Sequence, residues 1–359
     1  MADNIQKIRS SNIELFRIIL MLSIVAHHYV VNSGVFDIVK ATPYEWQSYF
    51  LLIFGMWGKI GINCFVLITG YFMCKSEITV RKFLKLFLEV LFYNVICYAC
   101  FYWSGYETFS IRGMLHAFNP INSLTNSFVS CFLVYYLLIP FLNVMVQHLS
   151  KRQHQLLIVI GMMFAVIMPH YSRFEFSFNY VEWFAYLHVV ASYLRYYFSD
   201  LNYSSNTRSI IYVIGGMLLG ALSVAIMMFG YEHGITKMRW MYEWVIDCNA
   251  LLAFVTSIMF FWGFKTLHVR QSRFINAIAS STFAVLLIHA NSDAMRKWLW
   301  QDVCHNVDWI YSPYMPLHAI GCVLAIFIAC VLIDKVRMTL VEKPTFIIID
   351  KYLQKYGIK

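Results

Sequence analysis

The chain has 359 residues, of which 60% are apolar and only 13% charged, and it carries a net charge of +9. Soluble domains usually carry about 25% charged residues, so composition argues against a soluble enzyme of this length. The positive balance does not mark a nucleic-acid binder either, because the basic residues fall in alternate loops and form no single stripe.

Ten apolar runs follow one another, at 12–32, 48–73, 84–104, 127–146, 155–169, 181–198, 210–230, 244–265, 276–291 and 315–334. A run of about 20 apolar residues matches the core of a bilayer; the fifth and ninth runs are short. Lipid offers the backbone no hydrogen-bond partner, so such segments are expected to be helices. No period-two alternation suggests a barrel. The expected fold is therefore all-α: one membrane-embedded domain over residues 1–359, a polytopic bundle of about ten transmembrane helices.

The first run reads as a span and not as a cleaved signal, since it is long, carries Arg17 and lacks a small-residue cleavage pattern. It holds Glu14, Arg17, His27 and His28. A central intramembrane Arg costs roughly 2.5–3.5 kcal/mol on insertion scales, so each ionisable group here is a functional candidate. Glu14 and Arg17 are three apart and share a helix face. Arg17 and His27 are separated by about 15 Å along the axis and about 80° around it. A fixed cation near one mouth and a titratable imidazole deeper in suit an acidic ligand that reacts further up. Two blander readings stand beside this: Arg17 snorkelling to headgroups, and His27 hydrogen-bonded between helices. His27 and His28 point about 100° apart, which does not decide between them.

In the second run, Lys59 is expected near a water-filled cavity, while Asn63 and Thr69 are expected to hydrogen-bond across helices. Arg81, Lys82 and Lys85 open the third run. Cys97 and Cys100 have a redox spacing but lie mid-run, where thiols act as small hydrophobes; the nine cysteines suggest no disulfide framework. Pro140 and Pro169 are expected to break helices. His289 closes the ninth run, capping its helix or facing a ligand path. The tail from Val336 to Lys359 mixes Lys with apolar residues and is expected along the inner membrane surface. With the N-terminus inside, 19 Lys and Arg fall in inner segments and 7 in outer loops, which predicts cytoplasmic termini. The outer loops carry Asp37, Glu45, Glu107, Glu175, Glu182, Glu232, Glu243, Asp302 and Asp308 among aromatic residues suited to stacking on sugar rings. No zinc-type spacing of Cys and His appears, and no metal is expected.

Several stretches resemble the acyltransferase-3 family of integral membrane proteins. That family shows an Arg and a His ten positions apart in its opening helix, a spacing that Arg17 and His27 fit. Gly58 to Phe72 resembles its glycine- and phenylalanine-rich second helix, with Thr69 in place of a serine. Tyr136 to Pro140, Ser281 to His289, and Leu340 to Pro344 resemble later motifs in the same order. Where the family often has an Arg-x-x-Arg pair, Lys82 and Lys85 take the spacing; a following proline and a tryptophan before the tyrosine–proline segment are absent, with Phe128 and Phe132 nearby.

The resemblance implies transfer of an acyl group, often acetyl, from cytoplasmic acetyl-CoA or another acyl-CoA to a hydroxyl of a surface polysaccharide or lipid-linked glycan, in the plasma membrane of a bacterium. It implies His27 as general base or acyl-carrying nucleophile, Arg17 attracting the donor or orienting His27 through Glu14, Arg81, Lys82 and Lys85 holding the coenzyme phosphates, and His289 in support. Membrane lipid is the other expected partner, and nucleic acid is not. The rival readings are a transporter of a glycan precursor without acyl chemistry, and a non-enzymatic assembly partner.

Overall fold

The computed structural model describes residues 9–122, 124, 127–171, 179–199, 206–235 and 247–358. Arg173, Glu175, Lys237, Arg239 and Glu243, read above as outer-loop charges, lie outside the described residues, as does Lys7. The described chain is helical, with no strand among the described residues. The main helices are α1 (Ser11–Val31), α2 (Trp46–Met73, broken after Gly55), α3 (Val80–Trp103), α4 (Phe128–His148), α5 (Lys151–His170), α6 (Tyr180–Tyr197), α7 (Asn206–Glu232), α8 (Leu251–Thr266), α9 (Arg273–His289), α10 (Asp293–Val303) and α11 (Met315–Lys355).

Each of the ten apolar runs carries a helix among the described residues, the eighth only from Leu251 onward, but seven are long and apolar enough to cross a bilayer. The pair α9 and α10, bent by 97°, makes an eighth candidate. The two others fall short for different reasons: α8 has only 16 residues, and α6 is diluted by tyrosines and by Glu182, His188 and Arg195. The chain is a multi-pass membrane protein.

Helix starts follow from local chemistry. The Thr79 side chain accepts from Lys82 N at the start of α3, and Ser150 with Gln153 forms a reciprocal capping box at the start of α5. The two prolines do not break their helices as expected. Pro140 lies inside the continuous α4. Pro169 follows a π-helical turn at Met163–Ile167; it cannot donate to Ala165 O four residues back, and that carbonyl instead accepts from Asn249 Nδ2 at 2.7 Å. A side chain thus replaces the missing backbone partner, as lipid surroundings require.

The centre is α1 and α2, each more than half buried, whereas α5 and α7 are less than a fifth buried and form the rim. The two central helices approach through glycines of α2. A Cβ at Gly58 would stand 2.2 Å from His27 Cβ, and one at Gly61 3.1 Å from Ile24 Cγ1. Small residues let helix backbones touch where no hydrophobic drive exists in lipid. Around this pair pack α6, α8, α9 and α11.

One end of the bundle is basic. There Ser11 and Asn12 of α1 meet Asn276 of α9 and the carbonyls of Phe264 and Lys265 on α8, and Lys335 of α11 donates to Ala277 O and Ser280 Oγ. Beyond a π-helical turn at Met338–Glu342, the tail of α11 turns Phe346 and Leu353 inward and leaves Ile347, Ile348 and Tyr352 exposed. That amphipathic division fits a helix lying at the membrane surface.

Candidate active site

A cavity of about 390 Å³ opens at the basic end. Arg9, Arg17, Lys82, Lys85 and Glu89 line its polar part, and Met21, Ile24, Phe65, Phe72, Phe128, Phe132, Phe283 and Leu286 its apolar part. Glu14, 6% exposed, sits between Arg9 at 3.6 Å and Arg17 at 3.5 Å. Arg17 is 30% exposed, so its guanidinium is oriented by Glu14 while remaining open to the cavity. The wall therefore presents cations at its mouth and aromatic rings deeper in. That distribution suits a ligand with an anionic head and an apolar, reactive end.

A second cavity, of about 530 Å³, continues toward the opposite end of the bundle. It shares Ile24, Phe128 and Leu286 with the first, so these three apolar side chains stand where the two cavities adjoin. His28 lines this middle cavity with Asn94, Asn122, Ser130 and Arg296. A third cavity, of about 550 Å³, shares Asn94, His116, Asn122, Asn291, Asp293 and Arg296 with the middle one and adds Tyr98, Glu107 and Arg112. The three together run from one end of the bundle to the other.

Of the two adjacent histidines of α1, His28 is the one that lines the middle cavity. His289, at the end of α9 and fully buried, places Nδ1 2.5 Å from Val285 O. A carbonyl only accepts, so this nitrogen carries the proton, and Nε2 of neutral His289 is an acceptor. His28 Nδ1 lies 2.9 Å from that Nε2 and must therefore donate to it. The consequence is that Nε2 of neutral His28 keeps its lone pair. It has no protein partner among the described residues and belongs to a side chain that lines the cavity. A base held in one tautomer by a hydrogen-bonded neighbour is the arrangement that activates hydroxyl nucleophiles in many transferases and hydrolases.

His27, the histidine favoured by the motif spacing, lies elsewhere. Its Nδ1 donates to Gly55 O across the α1–α2 contact at 2.9 Å, the residue is 5% exposed, and it lines none of the three cavities. This hydrogen bond joins α1 to α2, as one of the two readings of His27 expects. The physical reason is angular. Ten residues carry a helix about 80° off a shared face, whereas the eleven from Arg17 to His28 return it to within about 20°, roughly 16 Å further along. The eleven-residue interval was the available signal for His28.

Other expected site residues also part company. Lys82 and Lys85 line the basic cavity, but Arg81 does not. It makes a two-pronged contact with Asp350 of α11, Nε–Oδ1 at 2.6 Å and Nη2–Oδ2 at 3.1 Å, and stands 5.0 Å from the Phe346 ring. Thr69 lines the cavity but donates to Phe65 O of its own helix, not across helices. Asn63 does bridge helices, donating to Cys248 O and accepting from Trp183 Nε1, both at 2.7 Å. Lys59 donates to Tyr180 OH at 3.1 Å and lines none of the three cavities.

A family model described as an acyltransferase domain (acyltransferase 3) matches residues 10–334. The chain belongs to the acyltransferase-3 family. No curated protein and no solved structure matches it. In this membrane acyltransferase the family-like segments converge on the cavities: α1 gives Arg17 and His28, α3 gives Lys82 and Lys85, α4 gives Phe128, Phe132 and Tyr136, and α9 gives Phe283 and Leu286.

The acyltransferase also has a buried ionic knot that sequence reading missed. Arg337 meets Glu89 at 3.3 Å, Asp334 at 2.7 Å and Glu342 at 3.0 Å, while Lys85 meets Glu342 at 2.5 Å. Tyr93 OH donates to Asp334 at 2.8 Å. Glu89 lines the basic cavity, so the knot ties the floor of that cavity to α11. Glu89 is a carboxylate inside the third apolar run, and the cost of charge there was the signal that could have found it.

Proposed function

We propose that this acyltransferase moves an acyl group, acetyl in the simplest case, from a coenzyme A thioester at the basic end to a hydroxyl presented in the middle cavity. The observation that carries the reading is that the cavities adjoin, the one lined by Arg17, Lys82 and Lys85 and the one lined by His28 meeting at the shared side chains of Ile24, Phe128 and Leu286, a neck in this reading. Lys82 and Lys85 attract the donor's phosphates as point charges, and Arg17 offers a forked donor set. The apolar neck takes the acyl end of the thioester. His28 Nε2 removes the proton of the acceptor hydroxyl as its oxygen bonds to the thioester carbonyl carbon. The carbon–sulfur bond then breaks, the proton passes from His28 to the departing sulfur, and the products are an ester and a free thiol. His289 keeps His28 in the required tautomer and accepts from the imidazolium while it lasts.

The acceptor is a polysaccharide or lipid-linked glycan hydroxyl. Support comes from the carboxamide, imidazole, carboxylate and guanidinium groups of Asn94, Asn122, Asn291, His116, Asp293 and Arg296, which suit sugar hydroxyls. The excess of Lys and Arg at the basic end supports a cytoplasmic orientation for it, and a bacterial plasma membrane supplies both substrates. The test is the protein in proteoliposomes with acetyl-CoA labelled in the acetyl group and a glycan acceptor. Release of free thiol matched by label in an alkali-sensitive glycan ester is the expected outcome. Glycan crossing the bilayer without thiol release would instead support a transporter.

A further inference from the structure

The basic end holds a second polar hollow, of about 360 Å³, that shares no lining residue with the three cavities of the transfer path. Ser10, Tyr71, Trp262, Lys265, Thr266 and His268 are among its walls. Tyr71 is 1% exposed and has two cations over its ring, the Arg195 guanidinium 4.9 Å and the Lys265 ammonium 5.6 Å from the ring centre. Arg195 also donates to Tyr71 OH at 3.3 Å.

Other cations at this end have a carboxylate or a backbone carbonyl as partner: Lys82 donates to Glu77 O and Lys335 to Ala277 O. Arg17 has Glu14, Lys85 has Glu342, and Arg337 has three carboxylates. Among the described residues, neither Arg195 nor Lys265 has a carboxylate within ion-pair reach. Topology alone accounts for a cation at this end. It does not account for two half-buried ones gathered on a single buried ring beside a polar hollow, where they repel one another. An anion shared between them removes that repulsion. Hydroxyls of Ser10 and Thr266 stand on the same wall.

We propose that Lys265, in the wall of this hollow, and Arg195, which shares the Tyr71 ring with it without lining the hollow itself, hold a phosphate group there, carried either by an anionic phospholipid headgroup or by inorganic phosphate from solution. Arg supplies planar paired donors and Lys a compact charge, the combination that phosphate oxygens accept well. The volume lies at the low end of ligand pockets, about 300–1,000 Å³. It suits a phosphate with a few attached atoms and not a whole coenzyme thioester, so the site is separate from donor binding.

The experiment uses the full chain in nanodiscs of phosphatidylcholine, with or without phosphatidylglycerol, read by native mass spectrometry for retained anionic lipid. A second arm titrates inorganic phosphate into the phosphatidylcholine discs and follows the thermal melt. Retention of phosphatidylglycerol without a phosphate effect assigns the site to headgroups, and the converse assigns it to soluble phosphate. In either case Arg195→Gln with Lys265→Gln should weaken binding by about tenfold or more. The charge-retaining pair Arg195→Lys with Lys265→Arg should keep most of it, which separates loss of charge from loss of fold. Equal binding by wild type and the double glutamine variant in both arms would overturn the proposal.

Discussion

Replacing Gly58 by alanine probes how packing sets the chemistry. The new Cβ would stand 2.2 Å from His27 Cβ and 2.5 Å from His27 Cγ, whereas carbon atoms rest about 3.5–4.0 Å apart. The atoms touched belong to the root of a side chain on α1, which cannot swing away, so α1 and α2 must part locally by roughly 1.5 Å. Overpacking of this kind costs about 1–3 kcal/mol. A Cβ at Gly55 or Gly61 would stand 3.0 or 3.1 Å from Val30 or Ile24 along the same seam, which leaves little room to spread the shift. His28 follows His27 directly, and its 2.9 Å bond to His289 does not survive a displacement that takes it past about 3.5 Å. Freed of that bond, the imidazole loses its fixed tautomer, and general-base catalysis is worth typically 10²–10⁴-fold. Gly58→Ala should therefore lower the thermal melt of the detergent-purified protein by several degrees. Thioester consumption should fall by about 100-fold, while the KM for acetyl-CoA barely moves, because Arg17, Lys82 and Lys85 lie at the other end of the path. A variant that melts and turns over like wild type would refute the link between the glycine seam and the histidine pair.

Three further outcomes are expected. Lys82→Glu with Lys85→Glu should raise the KM for acetyl-CoA by about tenfold or more and leave kcat within a few-fold, measured as thiol release over a donor titration; a point charge on the donor phosphates is being reversed. Phe128→Ala should widen the neck and shift preference from acetyl toward butanoyl donors by about tenfold, the usual worth of a methylene or two in an apolar pocket, read as the ratio of kcat/KM values. Arg337→Met should destabilise the protein by about 3–5 kcal/mol, because Glu89, Asp334 and Glu342 lose their common cation. Adding Asp334→Asn should recover part of that loss in a thermal-melt cycle.

The helical, membrane-embedded nature of the chain was legible in the length and spacing of its apolar runs, and Arg17, which lines the basic cavity, stood out from the cost of charge in lipid. What escaped was set by geometry finer than a run of residues. One position decides whether a histidine lines the middle cavity, since each residue turns the helix by about 100°, and only the packed structure shows that His28 does. Arg81 reads like Lys82 in sequence, yet its salt bridge lies 269 residues away at Asp350. Pro169 looks like a helix end until Asn249 is seen to satisfy the carbonyl it releases. The Arg337 knot joins α3 to α11, and only the packed structure brings Glu89 together with Asp334, Arg337 and Glu342. The short α8 and the tyrosine-rich α6 have runs long enough to suggest spans but helices that are too short or too polar to qualify on their own.

The account rests on His28, and not its neighbour, as the base within the path. The direct measurement compares single-turnover thioester cleavage by His28→Ala and His27→Ala, each with a wild-type melt profile and a glycan acceptor present. The account predicts a fall of about 10³-fold for His28→Ala, partly restored by added imidazole, and a loss of only a few-fold for His27→Ala. A folded His28→Ala protein that cleaves at the wild-type rate, with His27→Ala inactive, would contradict it.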